Sequence, residues 1–389
     1  MASKKIKIGL LSPFPLSDAN AMSGTPAKIF QALEDVGFTV IDLSPHEPMF
    51  KNTCFFMRVY WLINKRLKKI RLRFISSEGD YQRMIDLAEK RSRAAQKRID
   101  KYDLDALLSV CISSMLYSLR QDKPIFYASD TTARLINTSY DEYKSRSDGY
   151  KHACDDIERE ALSKCLYFLP AAQCTKESAI NNYGMPESRV KLIEFGAHIT
   201  PDNALKPLLA PSKQSIELLL VASDPIRKRL EFCIEVVRLL EQKGWNAKLN
   251  YIGANHSCLE HKLVNNYGYL RLSEEKDRAI HLEIIERSHW MILPSKAEAF
   301  GIAPCEAAHF GRPSIVSDVG GLPTVIQDGV TGIVMNEDAS AESYAQALID
   351  ISENTNNYEA MSSAALQRAT SVLSWDVWAL KVKNLIDNL

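Results

Sequence analysis

The stretch that most limits the fold runs from Pro294 to Met335, PSKAEAFGIAPCEAAHFGRPSIVSDVGGLPTVIQDGVTGIVM. It follows the apolar run Trp290-Met291-Ile292-Leu293, which is short, is closed by Pro294, and reads as a buried strand. Glu298 and Glu306 come next, with Phe300-Gly301-Ile302-Ala303-Pro304 between them. Pro304 is expected to open a helix, where its missing N–H costs nothing, and the helix runs to Phe310 and stops at Gly311. Pro313 to Ser317 then gives the next strand. Strand, acid-bearing loop, helix and strand make a βαβ unit.

In open parallel sheets ligands sit outside the carboxyl ends of the strands, which is where Glu298 and the start of the next helix must lie. A helix N-terminus offers N–H groups to an anion, yet two carboxylates beside it repel a phosphate. A ligand with two parts resolves the conflict: its phosphates meet amides and cations, and its neutral hydroxyls meet the acids. A sugar nucleotide has both parts. The plainer alternative is that Glu306 is a first-turn acid favoured by the helix dipole and that Glu298 is merely solvated.

The rest of the chain is compatible with two such sheets. Its 389 residues are ample for two domains, and 46% hydrophobic with 25% charged residues is ordinary globular composition. The formal net charge is zero, which gives no global field for nucleic acid, and no nucleic-acid motif occurs. Cysteines 54, 111, 154, 165, 174, 233, 258 and 305 show no CxxC or metal-ligand spacing and read as reduced thiols of a cytoplasmic protein. No signal peptide and no membrane-length apolar stretch is expected.

Taken in order, Ile6 to Leu11 is a first strand, and the loop to Ser23-Gly24-Thr25 leads into a helix with Thr25 as N-cap, Pro26 at the first helical position and Gly37 as the stop. No GxGxxG follows any strand, which weakens a nicotinamide reading. After a second strand, Phe38 to Leu43, residues 55–73 combine aromatics with seven cations and no acid. Such a segment either lies on an anionic membrane surface or packs its apolar face on its own domain. A helical region covers Tyr81 to Asp100. Asp103 and Asp105 form a DxD at the amino end of the strand Ala106 to Val110, so they read as a turn and not as a metal site. Asp130 stands at the carboxyl end of the strand Pro124 to Ala128, as a site residue or as a cap for the next helix.

Further strands are expected at Leu166 to Leu169 and Val190 to Glu194, with a helix, Ala172 to Tyr183, between them. His198 reads as structural. Thr200 to Ser215, rich in Pro and polar residues, is the best boundary. Beyond it, Ile216 to Val221 delivers Arg227-Lys228 at a strand's carboxyl end, where a departing diphosphate needs compensating charge, or where the pair is surface charge. Ala247 to Ile252 and Tyr269 to Leu272 are further strands, and helices finish the chain, the last carrying Trp375 and Trp378.

Glu298 and Glu306 with seven residues between them, Gly311-Arg312-Pro313, the Gly320-Gly321 pair, Asp328-Gly329 and Gly332 together resemble the C-terminal signature of family 4 (group 1) retaining glycosyltransferases with the GT-B fold. The resemblance implies two doubly wound, Rossmann-like α/β domains facing across a cleft: an acceptor-side domain over 1–200, a linker at 201–215, a donor domain over 216–373, and a helix over 374–389 that crosses back. It implies transfer of a sugar from a UDP- or GDP-sugar to a glycan, lipid-linked or small-molecule acceptor, with retention and without a metal or other cofactor. Glu298, Lys228 and Asp130 would be catalytic. Gly24, Arg227, Lys228, Phe300, Gly301, Ile302 and Glu306 would bind the donor, with Glu306 on the ribose and Glu298 on the transferred sugar. The family commonly has Arg-Lys-Gly where this chain has Arg227-Lys228-Arg229, which puts close backbone approach to the phosphate in question. A nucleotide-sugar hydrolase or epimerase, and a non-catalytic binding subunit, are the alternatives.

Overall fold

In the computed structural model, residues 5–16, 21–45, 77–203 and 210–388 are described, and the basic stretch 55–73 lies outside them. The chain divides into two compact units, 1–193 with 383–389, and 194–382. Among the described residues no helix is long and apolar enough to cross a membrane.

The first unit is built on a five-stranded sheet: β1 (Lys7–Leu11), β2 (Thr39–Asp42), β3 (Ala106–Val110), β4 (Ile125–Ser129) and β5 (Tyr167–Pro170). The order is β2-β1-β3-β4-β5, every pair parallel, with Ile8 opposite Ala106 at the β1/β3 junction. All residues of β3 and β4 are buried, as expected where helices cover both faces of a parallel sheet. The order in which successive strands are added reverses between β1 and β3, so the loops that follow them flank a topological switch point.

The second unit holds six parallel strands: β6 (Ile216–Ala222), β7 (Ala247–Gly253), β8 (Val264–Asn266), β9 (Trp290–Leu293), β10 (Ser314–Ser317) and β11 (Gly332–Met335). Their order is β11-β10-β9-β6-β7-β8, the 3-2-1-4-5-6 arrangement of doubly wound sheets, with its switch point between β6 and β9. Leu218 pairs with Trp290 and Leu219 with Met291 across that junction. Below it Leu219, Ile252, Ile285, Met291, Ala307 and Phe310 form one core cluster.

The expected βαβ unit is present, and so is nearly every other element. Two strands are corrected. Val190 to Glu194 is extended and bonded to β5, Lys191 N to Phe168 O at 2.9 Å and Ile193 N to Pro170 O at 3.0 Å, but forms only a bridge because Pro170 has no N–H to return the next bond. Tyr269 to Leu272 is not a strand: Tyr269 is exposed, and the edge strand β8 ends just before it, where Asn266 and the left-handed Gly268 turn the chain away. The first helix, Thr25–Asp35, is capped one residue early, by Gly24 at φ 89°, so Thr25 is helical. Asp105 confirms the amino-end turn, its carboxylate accepting from Lys7 N at 2.8 Å. Trp375 and Trp378 are buried in the second unit, where Trp375 packs on Phe195 and stacks on His198.

Candidate active site

The switch point of the second unit is built by two loops. The one after β6 is shaped by Asp224, whose Oδ1 accepts from Ile226 N and Arg227 N at 3.2 and 3.0 Å, while its carbonyl accepts from Lys228 N at 3.1 Å. This turn throws Arg227 and Lys228 toward β9. Arg229 closes it at φ 55°, ψ 52°, before the helix Leu230–Gln242. The position therefore takes the left-handed backbone that glycine adopts freely and that costs another residue roughly 1–2 kcal/mol. The Arg229 guanidinium, 3.9 Å from the centre of the Phe232 ring, returns about 0.5–1 kcal/mol of that.

The loop after β9 brings the acid. Lys296 N donates to Arg227 O at 3.0 Å, and Ser317 Oγ donates to Ser295 O at 2.6 Å, so the loop is tied to both neighbours. Glu298 Oε2 accepts from Arg227 Nη1 at 3.0 Å and from Ser295 Oγ at 3.3 Å, and lies 4.0 Å from Lys228 Nζ. Arg227 Nη1 also donates to Ala297 O at 2.5 Å, and Lys228 Nζ donates to Val221 O at 3.2 Å. The Lys228 and Glu298 side chains are 12% and 14% exposed, enough to reach a ligand and too little for water to screen them fully. The Gly320-Gly321 pair explains how this loop is seated. A Cβ at Gly320 would fall 1.7 Å from Glu298 O and one at Gly321 2.4 Å from Ala299 O, so only glycine lets the next βα turn back the Glu298 loop so closely.

Residues 203–368 match the family model described as Glycosyl transferases group 1. The second unit is a group 1 glycosyl transferase domain. Over 205 residues the chain is 33% identical to a D-inositol 3-phosphate glycosyltransferase of Thermobifida fusca, covering 52% of this chain and 43% of that protein. The chain spans less than half the length of the curated relatives it matches, from 17% to 43%. Among solved structures, a sucrose-phosphate synthase of Thermosynechococcus elongatus superposes with a TM-score of 0.68 at 14% identity over 99% of both chains. Anabaena HepE, solved in complex with UDP and glucose, gives a TM-score of 0.61 at 13% identity over 99% of this chain and 100% of that one. The likeness shows the GT-B fold.

Within the glycosyl transferase domain the expected residues divide. Arg227, Lys228 and Glu298 are brought together. Glu306 lies on the helix Ile302–His309, which Gly301 caps at φ 113°, two residues before the start expected from Pro304. Glu306 is thus fifth in the helix and 6% exposed, which rules out the first-turn reading for it. Pro304, third in the helix, still removes an N–H that no carbonyl within the helix would have accepted. Phe300 is buried with its ring edge-on to Phe195, so what it can offer a ligand is backbone; Ile302 is half-buried at the first helical position.

Gly24 and Asp130 belong to the first unit. Gly24 ends the loop after β1 at that unit's switch point. Asp130 follows β4, and Thr175 Oγ1 holds its carbonyl at 2.7 Å while the Cys111 thiol donates to its Oδ1 at 3.8 Å. The helix Ala133–Ser139 is capped by Thr132, whose hydroxyl accepts from Leu135 N, so Asp130 is not its cap.

Sequence reasoning missed three features. Cys111 takes φ 51° at the end of β3, a backbone no residue type announces. Glu158 is buried in the first unit and its carboxyl is pushed up from the ordinary 4.5 to about 7, chiefly by burial. Glu231, His256 and Cys258 converge; the His-x-Cys spacing of the last two was the available signal.

Proposed function

We propose that this chain moves a sugar from a UDP- or GDP-sugar to a glycan, lipid-linked or small-molecule acceptor, with retention of configuration and without a divalent metal, as a family 4 enzyme. The observation that carries the reading is Arg227, Lys228 and Glu298 at the switch point of a group 1 glycosyl transferase domain. A neighbour of the same fold solved with UDP and glucose supports the donor class.

When the bond from the anomeric carbon to the diphosphate oxygen breaks, negative charge collects on that oxygen. Lys228 and Arg227, fixed before the donor arrives, stabilise it without reorganising. Glu298 receives its Arg227, Ser295 and Lys228 contacts on Oε2, and its Oε1 is assigned to a hydroxyl of the transferred sugar. Glu306 meets the ribose, and the N–H groups of Gly301 and Ile302 face the phosphates. The first unit takes the acceptor, with Asp130 beside it. Residues 55–73 are assigned to an anionic membrane surface on the cytoplasmic side, from their sequence of aromatics followed by cations.

A panel of nucleotide sugars in a thermal-shift assay tests the donor. A UDP- or GDP-sugar at about 100 times its Kd stabilises the folded chain by roughly 2.7 kcal/mol. No shift with any member of the panel sinks the reading, and steady turnover of donor without acceptor replaces transfer by hydrolysis.

A further inference from the structure

We propose that Glu231, His256 and Cys258 form a binding site for a zinc-type divalent cation on the second unit, a site made of different side chains from the Arg227–Glu298 cluster. One ligand atom from each of the three lies within 4.8 Å of the others. His256 Nδ1 and Cys258 Sγ are 3.0 Å apart. Glu231 comes from the first turn of the helix Leu230–Gln242 that follows β6, and the other two come from the loop that follows β7. Neighbouring strand ends therefore supply the ligands, and the Tyr251 hydroxyl holds those ends together, 3.1 Å from Ala222 O and 2.6 Å from Ala254 O.

The chemistry of the set is specific. A thiolate, an imidazole and a carboxylate suit zinc or cobalt, whereas magnesium and calcium take oxygen alone. The amide of Cys258 can only donate, and it points at His256 Nδ1 at 3.4 Å, which leaves that nitrogen unprotonated; a cation bound there takes the lone pair and displaces this long bond. Three protein ligands leave the fourth tetrahedral place to water. His256 also lines an open cavity of about 440 Å³ with Asn255, Glu260 and Asn266, from which water can enter. Capping of the turn Ser257–Leu259 by His256 accounts for the imidazole but not for a thiol and a carboxylate at the same point.

The test uses the full chain, stripped with chelator and kept reduced, with Co²⁺ as the probe. One equivalent should produce a near-ultraviolet thiolate-to-cobalt band that Zn²⁺ displaces. Cys258→Ser should lose the band, and Glu231→Gln, an exposed isosteric change, should keep it with affinity about tenfold weaker. Zn²⁺ should raise the unfolding temperature of the wild type and not of Cys258→Ser. An unchanged band in Cys258→Ser, no binding tighter than about 1 mM, or wild-type affinity in both Glu231→Gln and His256→Ala overturns the proposal. None of these readouts involves sugar transfer, so the site and the enzymatic reading fail separately.

Discussion

The two units share one construction and use their charge differently. In the second, the loops at the switch point carry charged side chains that meet each other: Arg227 on Glu298 at 3.0 Å, with Lys228 at 4.0 Å. In the first, the acids and hydroxyls mostly fasten helix to helix. Asp155 accepts from Tyr183 Oη at 2.8 Å and pairs with Arg134 at 2.6 Å; Ser147 donates to Asp80 at 2.6 Å, and Tyr81 to Asp156 at 3.0 Å. Among the described residues, what its own switch point offers is backbone, Gly24 at φ 89° and Cys111 at φ 51°. A parallel sheet thus decides where a site lies, and the loop residues decide whether that place holds charge.

The sharpest way to break this contrast is Lys228→Ala. If the second unit carries the leaving-group chemistry, kcat/KM should fall by about 100- to 1000-fold with the urea midpoint nearly unchanged. Lys228 is a cleaner probe than Arg227, because removing Arg227 strands a mostly buried Glu298, at a cost of about 3–5 kcal/mol. Near-normal kcat/KM would remove Lys228 from the mechanism.

A smaller effect tests the claim that the first unit's charge is structural. Glu158 is 3% exposed, and its folded pKa of about 7 lies above the ordinary 4.5. A carboxyl raised in the folded state contributes its stability at low pH and loses it as pH rises through the folded value. Wild-type stability should fall by about 2 kcal/mol from pH 5.5 to 8 on this account, and Glu158→Gln should lack that component. Parallel curves for the two proteins in urea titrations would show that Glu158 is not the source.

The smallest effect concerns Arg229. Arg229→Gly exchanges backbone strain and a ring contact for the entropy of a freer unfolded chain, and should stay within about 1 kcal/mol of the wild type. Arg229→Val should lose more, about 2 kcal/mol, because a β-branched residue fits a left-handed backbone poorly. Chemical denaturation of the two variants reads both, and equal losses would mean that the turn relaxes.

Where a segment's own pattern suffices, the chain is legible. Trp290–Leu293 and Ala106–Val110 fall where their apolar runs place them, because fully buried parallel strands are short, continuous and apolar. Helix starts were shifted where two caps compete: Gly301 rather than Pro304, Gly24 rather than Thr25. Glycine's left-handed option ends the preceding loop earlier than a rule about proline or threonine indicates. Val190 to Glu194 was misread because strand propensity says nothing about how far a neighbour continues the ladder.

By itself the sequence determined the two parallel-sheet units, the acids and cations at the carboxyl ends of particular strands, and the glycines that seat them, because these depend on residue type and short spacing. Only the tertiary structure decided that Arg227 bonds Glu298 across 71 positions, that Arg229 takes a glycine's backbone, that Glu158 is buried, and that Glu231 faces His256 and Cys258. Those facts depend on which strand ends become neighbours and how much water they exclude. Neither is written in any one segment of the chain.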